Sequence, residues 1–184
     1  MSDKILKILI IGNAAGGKTV LSKSLSKIYD LPHTPVDSIQ FLPGMIIRDL
    51  NETRKILNEI TSQEKWLIDG FGPLDLLQKN ILLADKIIFV DLPIWRNYLW
   101  ALKRQFKSLW SKRIELPEGC NEATLSHTVK LFKTLWRIHS KMRPELLKIM
   151  SRDNIKHKTI HIRSMGQWKL VHKNGLGYIS ERKI

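Results

Sequence analysis

Eight residues near the start of the chain have the types and spacing that chemistry on phosphate requires: Gly12-Asn13-Ala14-Ala15-Gly16-Gly17-Lys18-Thr19. They read G-x-x-x-x-G-K-[ST], the phosphate-binding P-loop. The glycines let the backbone turn sharply and aim N–H groups inward. Lys18 adds a point charge for β- and γ-phosphates, and Thr19 offers a hydroxyl to Mg²⁺. Gly12 through Thr19 are therefore the nucleotide-binding candidates. An apolar run of strand length, residues 4–11, precedes them, and Val20, Leu21, Leu25 and Ile28 follow at helical spacing. Strand, turn and helix in that order place the positive end of a helix dipole under the phosphates.

Moving a phosphoryl group requires alignment and charge stabilisation more than covalent chemistry. Asp69 ends a second apolar run and is the candidate to share Mg²⁺ with Thr19. Asp91, before Leu92-Pro93, competes for that role or else caps the helix that follows. Asp37 has two readings of equal weight. It orients or deprotonates an acceptor hydroxyl, or it caps the turn at Ser38-Ile39-Gln40. Arg48 and Gly70 join Asp37 on the acceptor side. Arg104, Arg113 and Arg143 are nucleotide-side candidates because a guanidinium fork grips phosphate oxygens, and Arg137 joins Lys18 and Asp37 as a catalytic candidate. Some of these arginines flank a non-periodic stretch at 111–122, where a basic lid closing over a nucleotide would expel water. The six histidines have no ligand spacing, and the single cysteine, Cys120, excludes an internal disulfide.

These residues need elements to hold them. A very short extended segment ends at Asp37, residues 41–49 read as a loop, and Asp49 with Glu52 makes a partial capping box for a helix bearing Leu50, Thr53, Leu57 and Ile60. Strands are predicted over 65–69, 86–91 and 158–163, with a short helix over 74–84. In the helix from Pro93 to about Trp110, Leu92, Trp95, Leu99, Leu102, Phe106 and Leu109 form an expected core stripe, with Arg96, Lys103 and Lys107 on another face. A long helix from about Thr124 carries Leu125, Val129, Phe132, Trp136 and His139 on its stripe. Pro144 ends or kinks that helix, and 145–152 resume it. Residues 170–184 read as a turn or small hairpin. Strands alternating with helices predict an α/β fold, a parallel sheet covered on both faces, with ligands at the carboxyl ends of its strands. Those ends carry the P-loop, Asp37, Asp69 and Asp91.

At 184 residues the chain fits one domain, with an acceptor-binding insert at about 37–64, a lid at about 111–123 and a tail at 170–184. No apolar run reaches membrane-span length and no signal sequence precedes the P-loop strand, so no membrane partner and a cytoplasmic location are expected. The 31 Lys and Arg outnumber the 17 Asp and Glu, a net +14 that favours polyanions, whether nucleotide or nucleic acid.

With these stretches in hand the chain resembles the adenylate-kinase-related P-loop proteins known as DNA topology modulation proteins. The resemblance spans roughly residues 5–165. It rests on the P-loop, residues 37–44 (DSIQFLPG), 66–70 (WLIDG), 84–96 (ADKIIFVDLPIWR) and the Glu118-Gly119-Cys120 segment. It implies a three-layer P-loop NTPase of adenylate-kinase-like fold, with a central five-stranded parallel sheet and a short lid. It implies ATP and Mg²⁺ as cofactors, with Lys18 and Thr19 at the nucleotide and Asp69 holding Mg²⁺ waters. Two functions are expected: a kinase passing the ATP γ-phosphoryl group to a small-molecule or nucleotide acceptor, as the resemblance implies, or a nucleotide-regulated DNA-binding protein, which the +14 charge and the basic helix faces near 96–113 and 130–143 motivate. The pattern departs from its relatives at Ala15-Gly16, where glycine usually comes first, and at Phe71-Gly72-Pro73, which lacks the arginine of the Phe-Pro-Arg acceptor signature. Because a Cβ disfavours positive φ, the loop is expected to shift its turn to Gly16.

Overall fold

A computed structural model describes residues 5–108 and 125–177. Five parallel strands form the sheet, in the order β2-β5-β1-β6-β7. They are β1 (Lys7–Gly12), β2 (His33–Pro35), β5 (Trp66–Asp69), β6 (Lys86–Val90) and β7 (Thr159–Ile162). The central strands read as near-continuous Ile, Leu, Val and Phe, as strands covered on both faces must. One layer of core joins Leu9, Ile11, Ile68, Ile87 and Phe89 to the helices α3 (Leu50–Thr61), α4 (Leu74–Leu83) and α7 (Arg143–Met150). The other joins Ile8, Ile10, Leu67 and Ile88 to α1 (Lys18–Tyr29) and α9 (Met165–Asn174). Alternation along each strand thus divides the core into two layers around one sheet.

Several elements differ from the sequence expectations for local reasons. Val36–Gln40 forms a short helix, α2, whose N-cap is Pro35, so Asp37 is not the cap. Residues 41–47 are not a plain loop, because β3 (Phe41–Leu42) and β4 (Ile46–Ile47) pair antiparallel across a 3-10 turn. Asp49 does cap α3, its side chain accepting from the N–H groups of Asn51 and Glu52. The helix α6 (Leu125–Arg137) passes through a π-helical turn, Ile138–Met142, into α7. That wider turn accommodates Pro144, which has no N–H to continue the ladder. The four-residue helix α8 (Asp153–Lys156) then leads to β7.

The largest corrections concern helix faces and the tail. In α5 (Ile94–Ser108), Trp95, Leu99, Leu102 and Phe106 are exposed, while Asn97 and Ala101 are buried. In α6, Leu131 and Leu135 are buried, while Val129 and Trp136 are exposed. Residues 165–174 form α9, so 170–177 is a helix end turning at Gly175 rather than a hairpin. Its start carries a full capping box, Ser164 with Gln167, an S-x-x-Q signature legible in the sequence. The expected lid at about 111–123 lies outside the described residues.

Candidate active site

The P-loop joins β1 to α1 as predicted, and its first glycine is required by packing. Gly12 has φ 146°, and a Cβ there would sit 2.2 Å from the carbonyl oxygen of Val90 on β6. Only glycine lets the two strands meet at that point. Gly17 is the N-cap of α1 and offers no side-chain cap, leaving the first-turn N–H groups to the loop. The expected shift of the turn to Gly16 does not occur. Ala15 itself adopts the left-handed region at φ 49°, and Gly16 does not. Two features hold it there. Asn97 Nδ2 on α5 donates to the Ala14 carbonyl at 2.8 Å, and Ala14 and Ala15 pack on Ala101, Leu131 and Leu135. Asn13 adds a third tie, donating from Nδ2 to the Leu135 carbonyl at 3.0 Å while its Oδ1 accepts from Ala14 N at 2.9 Å. The loop is clamped by the α5–α6 pair.

Lys18 Nζ donates to the Asn13 carbonyl at 3.0 Å, which folds its side chain back over the loop. Asp69 closes β5 beside it, because the parallel register puts Asp69 level with Ile10 of β1 and Pro35 of β2. Ser22 Oγ lies 3.2 Å from Asp69 Oδ2 and 3.1 Å from the Thr19 carbonyl. His33 Nε2 lies 3.7 Å from Asp69 Oδ2, beyond ordinary hydrogen-bond distance. Burial pushes the Asp69 carboxyl up. His33, Lys18 and Thr19 together outweigh it and hold the group below its ordinary 3.8. Asp69 is therefore a carboxylate at neutral pH although only 4% exposed. A buried carboxylate beside a hydroxyl and an ammonium suits a hard cation bound through oxygen. Among the described residues no group of three or more His, Cys, Asp or Glu forms a cage by itself. The set fits Mg²⁺ that arrives with phosphates and keeps much of its water.

Asp91 has a different environment. Arg143 Nε and Nη2 donate to its two oxygens at 2.6 and 2.9 Å, a bidentate pair. His161 Nε2 lies 2.9 Å from Asp91 Oδ2, and Arg163 Nε donates to His161 Nδ1 at 3.1 Å. An acceptor role for Nδ1 leaves Nε2–H as the donor to Asp91. The His161 ring stacks on Phe89, centroids 4.9 Å apart. Burial raises the Asp91 carboxyl, but His161 and Arg143 hold it lower overall. A small cavity bordered by Asn13, Phe71, Asp91 and Arg143 lies between this cluster and the P-loop. Neither reading of Asp91, metal ligand or helix cap, anticipated a charge chain running from α7 to the end of β7.

The remaining candidates divide. Gly70 follows Asp69 at φ 124°, with Val36 so near that a Cβ would lie 2.9 Å from its Cβ, bringing the start of α2 against the site. Asp37, the next residue on α2, is exposed. Arg48 turns inward to its own hairpin, Nε donating to the Ile39 carbonyl at 2.8 Å with Glu52 3.6 Å away. Arg137 is exposed beside an open depression of about 560 Å³ with Phe132, Trp136 and Lys141. The Arg104 side chain and all of Arg113 lie outside the described residues. Sequence reasoning missed Asn97, Ser22, His33 and His161. Only Asn97 left a trace, as a polar residue on what becomes the buried face of an amphipathic helix.

No protein-family model matches the chain, and no curated protein sequence matches it. The likeness to DNA topology modulation proteins therefore rests on the motifs alone. Solved structures do match. A shikimate kinase from Acinetobacter baumannii in complex with shikimate aligns with a TM-score of 0.60 at 16% identity, covering 99% of this chain and 97% of that one. A shikimate kinase from Bacteroides thetaiotaomicron aligns at 0.51 and 14% identity, covering 97% and 99%. With a five-stranded parallel sheet, flanking helix layers and a glycine-rich loop at the end of its central strand, the chain has the adenylate-kinase-like P-loop fold that these kinases share.

Proposed function

We propose that the protein is a Mg²⁺- and ATP-dependent kinase of the nucleotide-kinase type that transfers the ATP γ-phosphoryl group to a small-molecule or nucleotide acceptor. The observation that carries this reading is the convergence of Lys18, Thr19 and ionised Asp69 at one corner of the sheet, against the uncapped start of α1. Thr19 and Asp69 would hold Mg²⁺, which when bound neutralises charge on the β- and γ-phosphates. Loop N–H groups and Lys18 position the phosphates, Lys18 exchanging its contact with the Asn13 carbonyl for phosphate oxygen. The acceptor would lie between Gly70, α2 and the Asn13–Phe71–Arg143 cavity, with Asp37 at its exposed edge. Arg143, fixed by Asp91, supplies positive charge from the α7 side, whereas Arg137 lies on the outer face of α6. The A. baumannii neighbour was solved with shikimate, so small hydroxy acids belong on the acceptor panel beside nucleosides and nucleotides. The DNA-binding reading rests on net charge, and the kinase neighbours lend it nothing.

The test is ADP release from ATP and Mg²⁺ across that panel. Release that depends on one acceptor, and falls roughly a hundredfold or more in Lys18→Ala, is expected. ATP binding with no acceptor-dependent release across the panel overturns the kinase reading.

A further inference from the structure

The apolar faces that α5 and α6 turn to solvent form one surface. Asn97, near the start of α5, bonds Ala14, and the carbonyl of Leu135, near the end of α6, bonds Asn13. Neighbouring loop residues thus meet opposite ends of the two helices, which run antiparallel. Tyr98 and Phe132 meet edge-to-face across the pair, 5.0 Å between centroids. At 100° per residue, Trp95, Leu99, Leu102 and Phe106 fall to one side of Tyr98, and Val129 and Trp136 fall to the corresponding side of Phe132. In an antiparallel pair these are the same side. The six are 52%, 47%, 39%, 63%, 52% and 59% exposed in that order. Together they offer on the order of 500 Å² of apolar surface, as much as the largest patch on most monomers.

The border of this patch is basic. Arg96 lies over the Trp95 ring at 4.6 Å. Lys103 flanks the α5 side and Lys130, Lys133 and Arg137 the α6 side, all exposed. Neither helix contains an acidic residue. A second copy meeting this face would set like charges together. Nucleic acid would bring phosphates to an aliphatic centre, Leu99, Leu102 and Val129, that offers them nothing. Apolar side chains at the centre with long cations at the edge are the layout for shallow insertion into an anionic bilayer, with the cations reaching up to headgroups.

We propose that the α5–α6 face docks on an anionic phospholipid surface. No helix among the described residues is long and apolar enough to cross a membrane. A face that lies on one needs no such span. The same helix pair clamps the P-loop on its other side, so docking and nucleotide binding share a wall. The proposal stands apart from the kinase reading, and its test uses no nucleotide.

The full chain is sedimented with phosphatidylcholine vesicles, and with vesicles in which about a third of the lipid is phosphatidylglycerol. Binding at least tenfold stronger to the anionic vesicles is expected, and high salt should reduce it without abolishing it. Leu99→Glu combined with Leu102→Glu, and separately Phe106→Ser, should each cut binding about tenfold at an unchanged melting midpoint. Lys130→Glu with Lys133→Glu should do the same by removing the charge component. Phe106→Ser, at the most exposed of the six positions, keeps the test valid if the double Glu variant fails to fold. Equal binding to both vesicle types, or anionic binding unaffected by Phe106→Ser, overturns the proposal. So does a Phe106→Ser effect confined to single-stranded DNA binding, or to dissolution of a dimer.

Discussion

Ala15 shows how a single position reports on its surroundings. An L-residue in the left-handed region costs about 1–2 kcal/mol, and Ala15 accepts this because Asn97 and the Ala101–Leu131–Leu135 cluster fix the loop around it. Removing the methyl relieves the strain but forfeits part of a methyl's burial, up to about 0.8 kcal/mol, and adds unfolded-chain entropy. Ala15→Gly should therefore move stability by less than about 1 kcal/mol. Ala15→Val, β-branched at positive φ, should lose about 2 kcal/mol or more. Chemical denaturation of the pair checks this, and equal midpoints for the two variants would contradict the strain account. Asp91 yields a prediction in pH. Its folded pKa lies below the ordinary 3.8, so its stabilising contribution is fully present above about pH 4 and is lost as pH falls through the folded value. Asp91→Asn should cost about 1–3 kcal/mol at pH 7, moderated because Arg143 is partly exposed and can hydrate. The deficit should shrink as the wild type is acidified below pH 4. A deficit constant down to pH 2 would mean that the ion pair contributes nothing.

At the scale of elements, local signals and packing compete. The cap expected at Asp49 starts α3, and a capping box that the sequence reading passed over, Ser164 with Gln167, starts α9. Ser164→Ala should cost about 1 kcal/mol, read as a lowered melting midpoint. An unchanged midpoint would show that α9 is held by Val171 and Trp168 packing alone. Where the signal is apolar periodicity, it located α5 and α6 but chose the wrong face. The strongest stripe of α5 is exposed because the P-loop needs the opposite face. Asn97 supplies a donor to Ala14, and the small side chain of Ala101 lets α6 approach. A polar donor and an alanine score poorly as core from sequence, although close packing requires both here.

For the whole molecule, 31 basic against 17 acidic side chains produce self-repulsion that salt screens. Raising NaCl from low to near-molar concentration should increase the melting midpoint by several degrees. A fall would show that the surface ion pairs, such as Arg54 with Asp75 and Lys148 with Glu145, outweigh the net charge. The Lys18 screen and the vesicle assay address the two faces of one structural unit, the loop and the helix pair behind it.

The amino-acid sequence by itself determined the P-loop, the strands flanking it and the alternation that yields a parallel sheet. Each is written in contiguous residues whose period or turn chemistry acts locally. It also located Asp69, because a carboxylate ending a buried strand can be read without knowing its neighbours. Tertiary structure decided what lies across from these residues. The Arg143–Asp91–His161 cluster joins positions 52 and 70 residues from Asp91, and no local pattern records such pairing. It also decided which side of each amphipathic helix is dry. That choice is made by the partner surface, and here the partner is a phosphate-binding loop requiring a polar donor and a close approach, so the greasier side faces outward.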